Sequence, residues 1–162
     1  MTSQYQITPE EYVKAGLLNG EIRGTTRIIH YVIEASMIIA SFGFAYLGEY
    51  TVASGLIGAV IGVYLIPFLF RKFYTPWYLK KHYRKYPAIQ RPMSLLVTDA
   101  GVKFMSDSGE GTVAWRDIYK WREGKDLLLI YPAPRIYYMV PKRVDSVGDL
   151  CEMLKSKVGK ET

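Results

Sequence analysis

His30 and Glu34 lie four residues apart inside an otherwise apolar run at 28–47. In a helix, residues i and i+4 share a face, so an imidazole and a carboxylate would stand side by side. Glu34 would sit roughly 9 Å inside such a span at ~1.5 Å of rise per residue. Ionisable groups at that depth are expensive and usually face protein or a cavity. A second apolar run, 51–70, follows after only Gly48, Glu49 and Tyr50. Folding one run back on the other brings Glu34 level with residues near Leu65. Pro67 has no N–H, so the Val63 carbonyl loses its helical donor. A protonated Glu34 can donate there, with Tyr64 or His30 completing a polar cluster. Three readings of the cluster follow. It is structural glue or a side chain reaching for the interface; it is a proton or ion pathway, which requires a homo-oligomer because two helices enclose no pore; or it meets a partner's transmembrane helix.

Little other chemistry is available. The chain has two histidines and one cysteine, with no metal-ligand spacing, no nucleophile elbow and no phosphate-cradling glycine loop. Asp107-Ser108-Gly109-Glu110-Gly111 has the look of a cation loop without the ligand spacing of an EF-hand, and reads as a hairpin turn. The expectation is no catalytic residue, no metal and no cofactor. Cys151 excludes an internal disulfide and fits a reducing compartment.

The elements that would position these groups begin with the two runs. Each is about long enough to cross a ~30 Å hydrocarbon core as a helix. The formal charge of +6 is unevenly placed: Arg71, Lys72, Lys80, Lys81, Arg84, Lys85 and Arg91 follow the second run with no acid before Asp99, and Arg23 and Arg27 precede the first. Bases bias flanking segments toward the cytoplasm. Both termini are therefore expected to be cytoplasmic, in a multi-pass protein of a bacterial inner membrane. The first run lacks a small-residue cleavage pattern and reads as a retained anchor. In the second run Gly55, Gly58, Ala59 and Gly62 fall on one helix face. Small residues there allow close backbone approach, either within the hairpin or between two copies.

Thr75-Pro76-Trp77 has the form of a helix start. The segment it opens interleaves Trp77, Tyr78, Tyr83 and Tyr86 with Lys80, Lys81, Arg84 and Lys85. One reading is a topology determinant and interfacial anchor. A second is recognition of anionic lipid headgroups by Arg71, Lys72, Trp77 and the bases after it. Nucleic acid is set aside, since the adjacent bilayer already accounts for these residues.

The ends of the chain read as an α+β unit. Residues 3–7 alternate like a strand, and Thr8-Pro9-Glu10-Glu11 carries a capping box. From Met93 short strands are predicted at 94–97, 102–106, 112–115, 118–122, 127–131 and 136–140, forming an antiparallel meander. A final helix capped by Ser146, with Asp149 three residues on, presents Val147, Leu150, Cys151, Leu154 and Val158 as an apolar stripe; Lys155, Lys157 and Lys160 suit its C-terminal end. The organisation expected is 1–27 (strand and helix), 28–70 (transmembrane hairpin), 71–91 (basic aromatic helix and linker) and 92–162 (β domain with capping helix). About 70 residues make a small core, so the first strand is expected to join an edge of the sheet.

Three stretches carry a resemblance: Val97-Thr98-Asp99-Ala100-Gly101-Val102, Val113-Ala114-Trp115-Arg116-Asp117-Ile118 and Tyr138-Met139-Val140-Pro141-Lys142-Arg143. In order and spacing they resemble the bacterial YcxB-like membrane proteins. The resemblance implies a small antiparallel β domain, pleckstrin-homology-like, capped by a C-terminal helix; it implies no activity. Trp115 is expected as an anchor of the β domain, and Lys142 and Arg143 as exposed charges. The function expected is non-enzymatic: a cytoplasmic binding module held at the bilayer for a protein partner, a lipid headgroup or both. The alternative is an immunity-type or accessory subunit for one membrane-associated partner.

Overall fold

A computed structural model describes residues 2–21, 23–107 and 109–159; Ser108 and Lys160 lie outside them. The chain forms two compact units, Met1–Glu21 with Trp77–Thr162, and Ile22–Pro76.

The first unit is built on two antiparallel sheets. β1 (Thr2–Tyr5), β2 (Met93–Val97), β3 (Gly101–Ser106) and β4 (Gly109–Ala114) pair in that order. β5 (Lys120–Glu123), β6 (Leu127–Ala133) and β7 (Ile136–Pro141) form the second sheet. The expected single meander is thus divided, and Trp115 shows why. Its indole is buried and donates to the carbonyls of Thr98 and Asp99, both at 3.1 Å. The chain turns inward there through a short 3₁₀ segment, Trp115–Asp117, which ends the ladder.

The N-terminal strand is an edge of the first sheet, in register Thr2↔Leu96 to Tyr5↔Met93. Tyr5 and Ile7 are buried in the core, and the Tyr5 hydroxyl donates to the Met139 carbonyl of β7 at 3.0 Å. Burial pushes the Tyr5 phenol pKa upward. α1 (Pro9–Asn19) starts at the expected capping box: the Glu11 N–H donates to Thr8 Oγ1 at 3.1 Å, and the Thr8 N–H to Glu11 Oε2 at 2.9 Å. The same carboxylate receives Arg143 Nε at 2.8 Å, while Arg143 Nη2 donates to the Gln6 carbonyl at 2.7 Å. Burial opposes the Glu11 charge, but hydrogen bonds from Arg143 and Thr8 outweigh it and hold its pKa below the ordinary carboxylate value. At the other end of α1 the Arg122 guanidinium donates to the carbonyls of Leu18, Asn19 and Glu21. Lys142 pairs with Glu123 at 2.5 Å. The Pro141-Lys142-Arg143 corner therefore does not simply present two charges to solvent; both bind within the unit.

α5 (Val147–Lys157) buries Val147, Leu150 and Leu154 against Leu95, Phe104, Trp121, Leu128, Ile130 and Val140. Cys151 and Val158 are partly buried on the same core, and burial raises the Cys151 thiol pKa. Ser146 occupies the N-cap position but its side chain makes no capping bond, contrary to the sequence expectation.

The second unit is a helical hairpin. α2 (Thr25–Tyr46) and α3 (Tyr50–Leu69) are joined through Gly48, whose φ of 84° suits glycine. A fresh helix start at Thr75 is not observed. A π turn, Phe70–Tyr74, leads directly into α4 (Thr75–Lys85), and Tyr50–Lys85 forms one apolar-to-basic helix of 36 residues. Pro76 would leave a carbonyl one turn back without its donor. The widened turn before it is the usual way a helix absorbs such a residue.

Candidate functional site

At about 100° per residue, α4 divides into two faces. Leu79, His82 and Tyr83 occupy one. Tyr83 is buried and donates to the Ile7 carbonyl at 2.7 Å. Leu79 packs so close to Gly16 of α1 that a Cβ there would require the Leu79 methyls to shift. The His82 ring stacks between Tyr12 (centroids 5.9 Å apart) and Tyr86 (4.3 Å), and its Nδ1 is hydrogen-bonded to the Tyr12 hydroxyl at 2.9 Å. Lys80 reaches Glu10 at 3.5 Å. Tyr83 is thus a core anchor of the β unit rather than one of a set of interfacial aromatics.

The other face holds Trp77, Lys80, Lys81, Arg84 and Lys85, which together line a shallow groove of about 460 Å³. The Lys81 ammonium stands 5.0 Å from the centre of the exposed Trp77 ring. Arg84 and Lys85 make no ion pair with an acid among the described residues. Clustered cations beside an amphipathic indole suit phosphate groups at an interface, each base contributing on the order of 1 kcal/mol near an anionic surface. Arg71 and Lys72 belong to the helical unit, in the π turn; Lys72 lies 5.4 Å from the Phe68 ring centre and 5.7 Å from that of Phe73.

Within the hairpin the usual inside and outside are exchanged. Ile39, Phe42, Ile61 and Phe68 are all more than half exposed, whereas Glu34, Ser41 and Ala53 are buried. The Tyr64 hydroxyl donates to Glu34 Oε2, and Ser41 Oγ donates to the Ala53 carbonyl at 2.9 Å. Glu34 therefore accepts from Tyr64 across the two helices; donation to the Val63 carbonyl is not what the structure shows. His30 is exposed on α2 and stands outside the pair.

Gly55, Gly58 and Ala59 are exposed and Gly62 is partly so. A Cβ at any of the three glycines would meet nothing within 4 Å. Helical geometry puts this stripe opposite Ala53, Leu56, Val60 and Tyr64, which face α2. Packing of the stripe inside the hairpin, one of the two expectations, is therefore not observed. No group of three or more His, Cys, Asp or Glu among the described residues is arranged to hold a metal.

Sequence reasoning missed Gly16, Arg122 and Arg143. Their partners lie far away in sequence, and only the mid-helix glycine left any local sign.

Residues 97–153 match the model of the family described as YcxB-like protein, about a third of the chain running from β2 into α5. No curated protein and no solved structure gives a significant match.

Proposed function

We propose that this YcxB-like segment is the core of a membrane-anchored binding module whose α4 outer face takes the anionic phosphates of lipid headgroups. Two helices are long and apolar enough to cross a bilayer. Their exposed apolar surfaces and buried Glu34 and Ser41 suit hydrocarbon, not water. Basic flanks on both sides of the hairpin favour cytoplasmic termini. Four strands, three strands and a closing helix support the pleckstrin-homology-like reading, but fold analogy alone names no ligand.

The observation that carries the reading is α4 itself. One face is fixed to the β unit through Tyr83, Leu79 and His82, while the other gathers four cations and an indole. The role is recognition and placement, with no reaction assigned.

The test is native mass spectrometry of the full-length protein released from mixed-lipid membranes. Wild type is expected to retain anionic lipid, and a Lys80/Lys81/Arg84/Lys85→Ala variant to lose most of it while keeping its thermal unfolding. Four bases at about 1 kcal/mol each amount to a loss of two or more orders of magnitude in affinity. Equal retention of anionic lipid by the variant would contradict the proposal.

A further inference from the structure

The cations that line the outer groove of α4 fall into two rows. Lys80 and Arg84 are four residues apart, and so are Lys81 and Lys85. At i and i+4 the Cβ atoms of each pair stand about 5–6 Å apart. At about 100° per residue the two rows run side by side along the helix, and Trp77, one turn earlier, falls at an angle between them.

Two properties of these rows restrict the headgroup they can take. Like charges at i and i+4 repel one another, and this short helix carries two such pairs next to each other. The Lys80–Glu10 contact at 3.5 Å is the one ion pair with an acid made by the four bases among the described residues. A phosphate seated on one row leaves the repulsion along the other unrelieved. The second property is that every polar side-chain group in the lining is a donor: three ammoniums, a guanidinium and an indole N–H. A headgroup ammonium finds no acceptor among them, and the nearby Glu10 carboxylate already holds Lys80.

We propose that this groove selects a lipid whose headgroup carries two phosphates on a short glycerol bridge, of the diphosphatidylglycerol kind, over lipids with a single phosphate. The selection rests on the reading of α4 as a lipid face and adds which headgroup that face takes. One phosphate lies along Lys80 and Arg84 and the other along Lys81 and Lys85. Basic pockets at the cytoplasmic side of membrane proteins recognise headgroups of this charge density. The exposed Trp77 ring, between the rows and one turn nearer the hairpin in sequence, suits the ester region next to the phosphates. Its contact with the Lys81 ammonium, 5.0 Å from the ring centre, holds that base toward the same end of the helix.

The test is native mass spectrometry of the full-length protein in neutral detergent, titrated separately with diphosphatidylglycerol, phosphatidylglycerol and phosphatidylserine at equal phosphate concentration. Diphosphatidylglycerol is expected to bind about tenfold or more tighter than phosphatidylglycerol, because a second pair of bases engages. Phosphatidylserine is expected to bind most weakly. Lys81→Gln with Lys85→Gln removes one row and should bring diphosphatidylglycerol down to the level of phosphatidylglycerol, which still binds the other row. Lys155→Gln with Lys157→Gln takes the same charge from α5 and should keep the preference. Equal affinity of the two glycerol lipids for wild type, with both lost in the Lys80/Lys81/Arg84/Lys85→Ala variant, would overturn the selection and leave the lipid face standing. Retention of both lipids by that fourfold variant would overturn the lipid face and the selection together. A preference that survives removal of one row would overturn the two-row assignment. So would phosphatidic acid, with its charge on a single phosphate, if it bound as tightly as diphosphatidylglycerol.

Discussion

Removal of residues 1–8 is expected to unfold the β unit while α2 and α3 remain helical. The deletion takes away the edge strand β1 and two side chains, Tyr5 and Ile7, that are each only 3% exposed. Emptying a buried aromatic or aliphatic site costs about 2–5 kcal/mol. The loss of Thr8 as helix cap adds about 1 kcal/mol. Tyr83 loses its acceptor on Ile7, and Arg143 its acceptor on Gln6. The total rivals the ~5–15 kcal/mol that stabilises a typical domain. Differential scanning fluorimetry and limited proteolysis of the truncated protein would show the loss directly. An unchanged melting transition would mean that the strand is dispensable and that the β unit begins after the hairpin.

The second large effect is expected at Glu34. Glu34→Leu leaves the Tyr64 hydroxyl without its acceptor between two apolar helices, whereas Glu34→Gln keeps an acceptor oxygen in place. Polar contacts between membrane helices are worth about 0.6–2 kcal/mol, so Leu should weaken the hairpin by that order and Gln by much less. Titration of the reconstituted protein with sodium dodecyl sulfate, followed by circular dichroism, measures the difference. Equal tolerance of both changes would remove the structural role of the Glu34–Tyr64 pair.

Local patterns in the chain were legible where the physics is local. The Thr8–Glu11 capping box, the two apolar runs and the alternation from Met93 to Val140 each appear as structure within a few residues of their expected limits. Trp115 was visible as an anchor because a large aromatic at a strand end has few places to go. What was not legible depends on partners distant in sequence. Arg143 is exposed as expected, but its bonds to Glu11 and Gln6 could be seen only once the fold brought those residues to it. Thr75-Pro76 has the composition of a helix start, yet the preceding helix runs through it by way of a π turn. The glycine stripe has the spacing of a packing face, and spacing cannot say toward which helix it turns. The basic face of α4 was the reverse case: its composition was plain, and the structure adds which side chains turn inward.

The lipid reading of the α4 face requires a hairpin that crosses the bilayer with its turn on the far side. The most direct measurement is thiol labelling with a membrane-impermeant maleimide in intact bacterial cells stripped of their outer wall, in a Cys151→Ser background. A single cysteine introduced as Glu49→Cys, in the turn between α2 and α3, should be labelled from outside. One introduced as Glu110→Cys, on β4, should react only after the membrane is opened. Labelling of Glu110→Cys from outside, or protection of both positions, would contradict a hairpin that spans the membrane and holds the β unit on its cytoplasmic face.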